Sequence, residues 1–217
     1  MKTSLSLILI ATCLIAFAPP ADAQSLAGRH RLGLRLGAWN QTADVRVEAV
    51  SPTVSTSVGN NGMLGGVSYG YWLNDDLALD IDIGALTLDA ETLVNTAGVS
   101  TNFAAVGEVL LGMRRYLTAS AEHTTVRPYL GAGVGVFRGS QDDVVTGVSV
   151  VVSSREETAM GGRLGVGIDV FPSRRFMVGL GVGYNLMADF DEPIAGSRNY
   201  SGPVVSFDFA YLFGGGE

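Results

Sequence analysis

The chain is short of cysteine, lysine and charge, and each shortage excludes a class of protein. Its one cysteine is Cys13 and its one lysine is Lys2, so the other permanent cations are all arginines. Without a set of cysteines, a disulfide framework and a thiolate metal site are excluded. Charged residues make up 16% of the sequence, against roughly 25% in an ordinary soluble domain. The formal net charge is −7 and no basic run is present, which excludes nucleic acid as a partner.

Long hydrophobic runs are also missing after the first 23 residues, so no transmembrane helix is predicted there. The apolar run inside those residues follows Lys2 and ends at Pro19, ahead of a small-residue cleavage site. This pattern is typical of a secretory signal peptide. We therefore expect a cleaved signal peptide over residues 1–23 and a mature domain over residues 24–217, which contains no cysteine.

The mature sequence shows alternation with a period of two, which predicts β-strands. In residues 130–136, Leu130 and Val134 alternate with Gly131 and Gly133. A face of glycine, alanine and a few charges suits the inside of a narrow barrel, and the large apolar face suits lipid. The alternating stretches are 30–39, 63–73, 77–88, 103–117, 127–138, 159–171, 176–187 and 201–213.

The connections between these stretches alternate between long and short. Residues 40–62 and 139–158 are long connections, whereas 74–76 and 172–175 are short. Outer-membrane barrels have short periplasmic turns and long extracellular loops, and closure leaves no backbone group unpaired in hydrocarbon. The sequence therefore predicts an all-β, eight-stranded antiparallel up-and-down transmembrane β-barrel. We expect it in the cell outer membrane, in contact with its lipid and lipopolysaccharide; a soluble sandwich is the alternative.

Three local patterns carry a resemblance to a known family. They are the hairpin 69–80 (YGYWLNDDLALD), the stretch 127–135 (RPYLGAGVG) and the closing row Phe207, Phe209, Tyr211 and Phe213. In these patterns the chain resembles the OmpA/OmpX-type superfamily of small eight-stranded outer-membrane barrels. The resemblance implies the barrel fold and assembly by the outer-membrane insertion machinery, with the closing row as the assembly signal. It departs from the family at the end, because residues 214–217 (GGGE) follow the last aromatic.

A group of charged residues falls on the inward-facing positions of the predicted strands. A charge that faces lipid at mid-bilayer costs about 2–4 kcal/mol, so these side chains are predicted to lie in the lumen. We interpret them as a structural network that fills the barrel, with the selectivity region of a narrow pore as the alternative. The group consists of Arg35, Asp80, Asp82, Glu108, Arg114, Arg163, Asp169 and Asp208.

Aromatic side chains gather near the predicted strand ends, where membrane interfaces favour tyrosine and tryptophan. The pattern predicts interface positions for most of them. They are Tyr71, Tyr116, Phe171, Phe176, Tyr211 and Phe213 near the turns, with Trp39 and Tyr200 towards the loops.

The two histidines argue against an enzyme. Lipid-modifying hydrolases of this fold need a histidine and a serine at the outer rim, whereas His30 and His123 both map to the opposite end. A general base must reach its nucleophile, so we predict no catalytic residue. We also predict no cofactor and no metal site, since two separated histidines without cysteine do not form a transition-metal cluster.

The leading functional hypothesis is a non-enzymatic outer-membrane protein with a structural or surface-interaction role through loops 40–62 and 139–158. An extracellular protein is the expected partner of those loops. A narrow pore for small solutes or ions is the second hypothesis, and a lipid-modifying enzyme is the third. The valine-rich stretch 144–154 predicts that the fifth and sixth alternating stretches, 127–138 and 159–171, continue as a protruding hairpin, with a mobile loop that has no partner as the alternative. Residues 44–50 alternate too and are expected to extend the first strand beside it.

Overall fold

The computed structural model describes residues 25–42, 61–87, 91–95, 98–117, 125–146 and 150–215. The signal peptide lies outside these residues and remains a prediction. No helix in the described ranges has the length and apolar character needed to cross a bilayer. The strands are β1 (Arg29–Asn40), β2 (Asn61–Trp72), β3 (Leu77–Thr87), β4 (Glu91–Asn95), β5 (Gly98–Tyr116), β6 (Val126–Thr146), β7 (Val150–Ser173), β8 (Phe176–Met187) and β9 (Gly202–Gly214).

The strands close on themselves. Apart from β3 and β4, sequence neighbours pair antiparallel, and the first strand β1 also pairs with the last, β9, from Arg29 opposite Gly214 to Trp39 opposite Val204. β3 pairs with β5, and the short β4 follows β3 along the same partner strand. The nine strands therefore form a ring of eight, which confirms the predicted eight-stranded antiparallel barrel. Closure pairs the backbone groups that hydrocarbon cannot solvate.

Side chains alternate across the barrel wall as the period of two predicts. Leu34 and Leu36 are 60% and 62% exposed, whereas Arg35 between them is 6% exposed. The same contrast separates the exposed Leu180 from the neighbouring glycines on β8. A continuous apolar belt thus faces outward, where the acyl chains of a membrane would solvate it.

The two ends of the barrel differ in build. Short turns lie at one end, which we call periplasmic; there Asn74 Oδ1 accepts hydrogen bonds from the backbone of Asp76 and Leu77 at 2.9 and 2.8 Å. At the extracellular end β6 and β7 stay paired up to Thr146 opposite Val150.

The predicted long connection 139–158 is wrong in extent, because β6 continues to Thr146 and β7 begins at Val150. The β-branched residues between 144 and 152 continue both strands instead, so the predicted protruding hairpin is confirmed. Residues 89–102, which separate the predicted stretches 77–88 and 103–117, are likewise largely strand, as β4 and the start of β5. Residues 43–60, which include the predicted extension 44–50, lie outside the described residues.

Candidate functional site

The lumen is filled in three layers. An apolar layer closes the periplasmic end, a layer of ion pairs occupies the middle, and a second apolar layer closes the extracellular end. The periplasmic layer consists of Leu26, Trp72, Ala78, Tyr116, Tyr129, Phe171, Met177, Ala210 and Leu212. The extracellular layer consists of Trp39, Leu64, Leu86, Val106, Leu110, Phe137, Ala159, Met187, Phe190, Ile194, Tyr200 and Val204.

Arg114 is the centre of the middle layer. Its Nε atom lies 2.8 Å from Asp80 Oδ2, and its Nη1 atom lies 3.1 Å from Asp169 Oδ2. A longer contact of 3.8 Å joins Nη2 to Asp208 Oδ2. The guanidinium also lies over the ring of Tyr129, 4.5 Å from its centroid. Arg114 thus holds three buried carboxylates, each supplied by a different strand.

Arg35 extends the network towards β3 and β9. Its Nη1 atom lies 2.8 Å from Asp82 Oδ2, and its Nε atom lies 2.9 Å from Asp208 Oδ1. Because Asp208 contacts both Arg35 and Arg114, the two arginines belong to one connected set of ion pairs. Charges buried away from water need such partners.

Arg163 and Glu108 form a separate pair nearer the extracellular layer. Arg163 Nη2 lies 2.5 Å from Glu108 Oε2, and Arg163 Nε donates a 2.7 Å hydrogen bond to Asn185 Oδ1. The structure therefore places all eight sequence-predicted lumen residues inside the barrel and brings each into an ion pair. That their role is structural remains our proposal.

Sequence reasoning missed two further partners of these ion pairs, Arg31 and Tyr116. Arg31 is fully buried and its Nη2 atom donates to Asp80 Oδ1 at 2.9 Å, while Tyr116 donates to Asp169 at 2.7 Å. Arg31 reaches Asp80 across β2 because Gly70 stands between them; a Cβ at Gly70 would come within 2.8 Å of Asp80. The signal was available, since Arg31 shares its parity with Arg35 in 30–39.

A cavity of about 70 Å³ lies within the middle layer. Its polar lining includes Arg35, Asp80, Asp82 and Arg163, and strand glycines form much of the rest. The missing side chains of these glycines leave the space. The two apolar layers lie on either side of it along the barrel axis.

A loop of residues 188–201, the capping loop, folds into the extracellular mouth. Phe190 and Ile194 are fully buried, and the backbone of Ala195 donates to Gln141 Oε1 at 2.7 Å. Gln41 donates to Asn199 O at 2.7 Å from the opposite side of the mouth. The loop reverses at Ala195 and Gly196, with φ of 47° and 77°, which glycine adopts without strain. These contacts fix the apolar face of the loop inside the barrel.

The predicted interface positions of several aromatics are wrong. Trp39, Tyr116, Phe171 and Tyr200 point inward and are at most 8% exposed. Tyr200 donates to Ile194 O within the capping loop, and burial raises the pKa of its hydroxyl, which keeps the proton in place. Phe176, Tyr211 and Phe213 do face outward, as predicted. Large rings fill the two ends of the lumen, because close packing leaves few voids there. The position of an aromatic residue along its strand decides whether its ring points into the lumen.

The paired strands above the barrel form an extracellular sheet, made of β4, residues 98–103, residues 139–146 and residues 150–160. β7 pairs with β8 only from Gly161 downwards, where Gly161 lies opposite Met187. Above that point the partner of β7 among the described strands is β6 alone. Side chains at positions 153–156 are exposed on both faces. Arg155 joins this sheet to the capping loop through Glu192, at 3.0 Å.

The start of the described chain closes the periplasmic end. Leu26 is 3% exposed within the periplasmic layer. Asp75 Oδ1 accepts hydrogen bonds from Ser25 Oγ at 2.9 Å, Leu26 N at 2.6 Å and Ala27 N at 3.3 Å. Burial alone would raise the pKa of Asp75, but these hydrogen bonds outweigh it and lower the pKa below its ordinary value. The ionised carboxylate thus fastens the chain across the mouth.

Comparison with known families decides the identity of the fold. The family model described as "Outer membrane protein beta-barrel domain" matches residues 9–213. The chain belongs to this family. The protein is therefore an outer-membrane β-barrel protein, in agreement with the apolar belt and the closed ring.

Solved structures of other barrels share the fold. Ail, the attachment invasion locus protein of Yersinia pestis, is 14% identical with a TM-score of 0.52, over 86% of this chain and 99% of that chain. The outer membrane protein OprG from Pseudomonas aeruginosa is 14% identical with a TM-score of 0.50, over 89% of this chain and 100% of that chain. A comparison with curated protein sequences finds no match.

The closing aromatic row of this outer-membrane barrel lies on the lipid face of β9. Phe207, Phe209, Tyr211 and Phe213 are all exposed, and Phe213 stacks on His30 with ring centroids 5.4 Å apart. His30 lies on the outer surface of β1, and its Nδ1 atom is 2.6 Å from Tyr69 OH. The row therefore sits beside the seam where the last strand meets the first. Its role in assembly remains a prediction.

The histidines and acids of the described residues form no metal-binding group. His30 lies in the outward aromatic group at the periplasmic end, and His123 lies outside the described residues. No group of three or more histidine, aspartate or glutamate side chains is placed to hold a metal ion within those ranges.

Proposed function

We propose that this protein is a non-enzymatic surface protein of the outer membrane that binds an extracellular partner through its extracellular sheet. The observation that carries the proposal is the pairing of β6 and β7 up to Thr146 and Val150, beyond the last pair between β7 and β8. Residues 150–160 extend the strand by roughly 35 Å at the usual rise per residue. A rigid projection of this size is more than a connection between two strands requires.

The sheet offers a recognisable means of binding. Residues 150–159 of β7 carry a backbone edge that no described strand pairs. An extended segment of a partner protein can add to such an edge through main-chain hydrogen bonds. The exposed charges of Arg155 and Glu156 on the sheet, and of Arg138 just below it, would select the partner.

The filled lumen argues against the narrow pore. Trp39, Phe137 and Phe190 in the extracellular layer are at most 1% exposed, as is Trp72 in the periplasmic layer. An ion that crossed this lumen would leave water at two apolar layers, and the cost of that step is high. We therefore propose that the ion pairs between the layers are structural.

The membrane partners follow from the outer surface. We propose that the apolar belt contacts membrane lipid and lipopolysaccharide, and that the outer-membrane assembly machinery reads the closing row from Phe207 to Phe213. The outward exposure of that row supports the second proposal.

The surface-binding proposal is tested by shortening the projection without disturbing the barrel. Replacing residues 142–154 with an Asn-Gly turn keeps Gln141 opposite Arg155 and preserves the register. We expect cells that display this variant to lose attachment to protein-coated surfaces, while unboiled protein keeps its folded mobility in SDS gels. The matched control is Glu192→Gln, which breaks one exposed ion pair and leaves the sheet in place. Attachment that survives the shortening would contradict the proposal.

A further inference from the structure

The middle layer of the lumen carries one negative charge too many. Its connected network joins three guanidiniums, those of Arg31, Arg35 and Arg114, to four carboxylates. The carboxylates are Asp80, Asp82, Asp169 and Asp208. The other lumen pair, Arg163 with Glu108, is neutral by itself. Uncompensated charge buried between two apolar layers is costly, so a further positive charge is required.

Nearby arginines at the periplasmic end do not supply it. Arg127 lies opposite Asp169 in the strand register, but its guanidinium donates to Asp75 O and lies over the ring of Phe171. Arg29 donates to Gly214 O at the rim. Both guanidiniums therefore lie among the groups of the periplasmic mouth.

Asp82 combines an unbonded carboxylate oxygen with a position in the wall of the cavity. Its Oδ2 atom pairs with Arg35, while its Oδ1 atom is buried and has no hydrogen-bond partner among the described residues. Asp80 and Asp169, in contrast, each have two or more donors. Asp208 has one free oxygen, which lies 3.8 Å from Arg114. Of the two network carboxylates that line the cavity, Asp80 and Asp82, only Asp82 has an oxygen without a hydrogen-bond partner among the described residues.

A second buried oxygen lies beside Asp82. Ser68 is 2% exposed, and its hydroxyl also has no partner within the described ranges. Ser68 on β2 stands directly opposite Asp82 on β3, which puts their Cβ atoms about 5 Å apart on the same face. One hard cation binds oxygen ligands at about 2.4 Å, so it can bridge two side chains at this separation.

We propose that the lumen binds one small monovalent cation, such as Na⁺, between Ser68 Oγ and the Oδ1 atom of Asp82, which lines the cavity. The cavity of about 70 Å³ has room for more than one water molecule to complete the coordination. One positive charge makes the network neutral, whereas a divalent ion would reverse the imbalance. The site also gives a partner to two buried oxygen atoms that otherwise have none.

The test measures stability against sodium at constant ionic strength. Mature protein refolded in zwitterionic detergent is heated in mixtures of sodium chloride and choline chloride, because choline is too large for the cavity. The midpoint temperature at which the fast-migrating folded band disappears is recorded. We expect the parent midpoint to rise with sodium in a saturable manner, since a ligand of the folded state stabilises it in proportion to its occupancy.

Three variants separate the site from a general salt effect. Asp82→Asn removes the excess charge, and we expect it to lose the sodium-dependent shift. Ser68→Ala keeps the charge and should need a higher sodium concentration for the same shift. Asp142→Asn, an exposed carboxylate above the barrel, is the matched control and should respond as the parent does.

Direct binding gives an independent readout. We expect ²³Na resonance broadening by the parent and not by Asp82→Asn, with competition by potassium. The proposal is overturned if Asp82→Asn keeps the shift and the broadening. It is equally overturned if the parent shows neither and its midpoint depends on pH alone, because a proton would then neutralise the network.

Discussion

At the scale of single residues, Arg114 is the side chain on which the lumen depends most. It is 4% exposed and is the shared partner of Asp80, Asp169 and Asp208. The neighbouring Arg115 points outward and makes none of these contacts. Of these two adjacent arginines, only Arg114 points into the lumen and contacts the three carboxylates.

We predict that Arg114→Met destabilises the barrel by about 3–5 kcal/mol, the usual cost of breaking a buried ion pair from one side. Urea unfolding in lipid vesicles, followed by tryptophan fluorescence, measures the change. Arg115→Met is the matched control and should change the free energy of unfolding by less than about 1 kcal/mol. Equal losses for the two variants would contradict the network as a source of stability.

The two faces of β6 supply a second residue-level prediction. Leu130 faces lipid and is 47% exposed, whereas Gly131 lines the lumen cavity, where an added Cβ meets its first neighbour at 3.6 Å. We expect Leu130→Arg to obstruct membrane insertion, at a cost of about 2–4 kcal/mol at mid-bilayer, and Gly131→Ser to insert normally. Folding yield into lipid vesicles measures both. The opposite ranking would mean that the faces are assigned wrongly.

Asp75 gives a prediction of pH dependence. Burial opposes its ionisation, but the hydrogen bonds from Leu26, Ser25 and Ala27 lower its folded-state pKa. A depressed pKa contributes stability above the unfolded value of about 3.9, and that contribution disappears as pH falls through the folded pKa. We expect Asp75→Asn to lower the thermal midpoint at neutral pH, with the difference closing below about pH 4. Asp76→Asn is the control; a gap that persists in acid would exclude the carboxylate.

At the scale of elements, parity could be predicted from the sequence and the ends of the strands could not. Alternation located the eight lumen charges because a misplaced charge in lipid is costly. It did not show that Trp39 and Phe171 fill the lumen ends, because an inward ring and an interface ring have the same sequence signature. The lengths of β6 and β7 could not be predicted either, since residues 139–158 contain serine and charged residues among the valines. Whether such a mixed stretch forms a strand depends on its pairing with another segment.

The closing strand β9 carries the prediction at this scale. Phe213 faces outward at the seam and stacks on His30, while Gly214 and Gly215 turn away with φ of 70° and 86°. We predict that Phe213→Ala lowers the outer-membrane yield, whereas deletion of residues 215–217 does not. Cell fractionation with immunoblotting measures the yield. An unchanged yield for Phe213→Ala would remove the closing row as an assembly signal.

At the scale of the whole molecule, closure and filling act together. The ring of paired strands leaves no edge inside the membrane, and the two apolar layers confine the ion pairs and their cavity. The extracellular sheet is thereby joined to a closed and filled barrel. A surface-binding role is compatible with a filled barrel, whereas a pore requires a continuous polar path through the lumen.

The last prediction concerns that path. Phe190 and Ile194 seal the extracellular side through the capping loop, while Trp72 and Leu26 seal the other end independently. We expect planar bilayers with the parent protein to show no single-channel steps. Replacing both Phe190 and Ile194 with serine should leave the current at background, because the periplasmic layer still interrupts the water column. Adding Leu26→Ser and Trp72→Ala to that variant should produce steps. Conductance by the parent would return the narrow pore to first place, since current through an intact lumen requires water across both apolar layers.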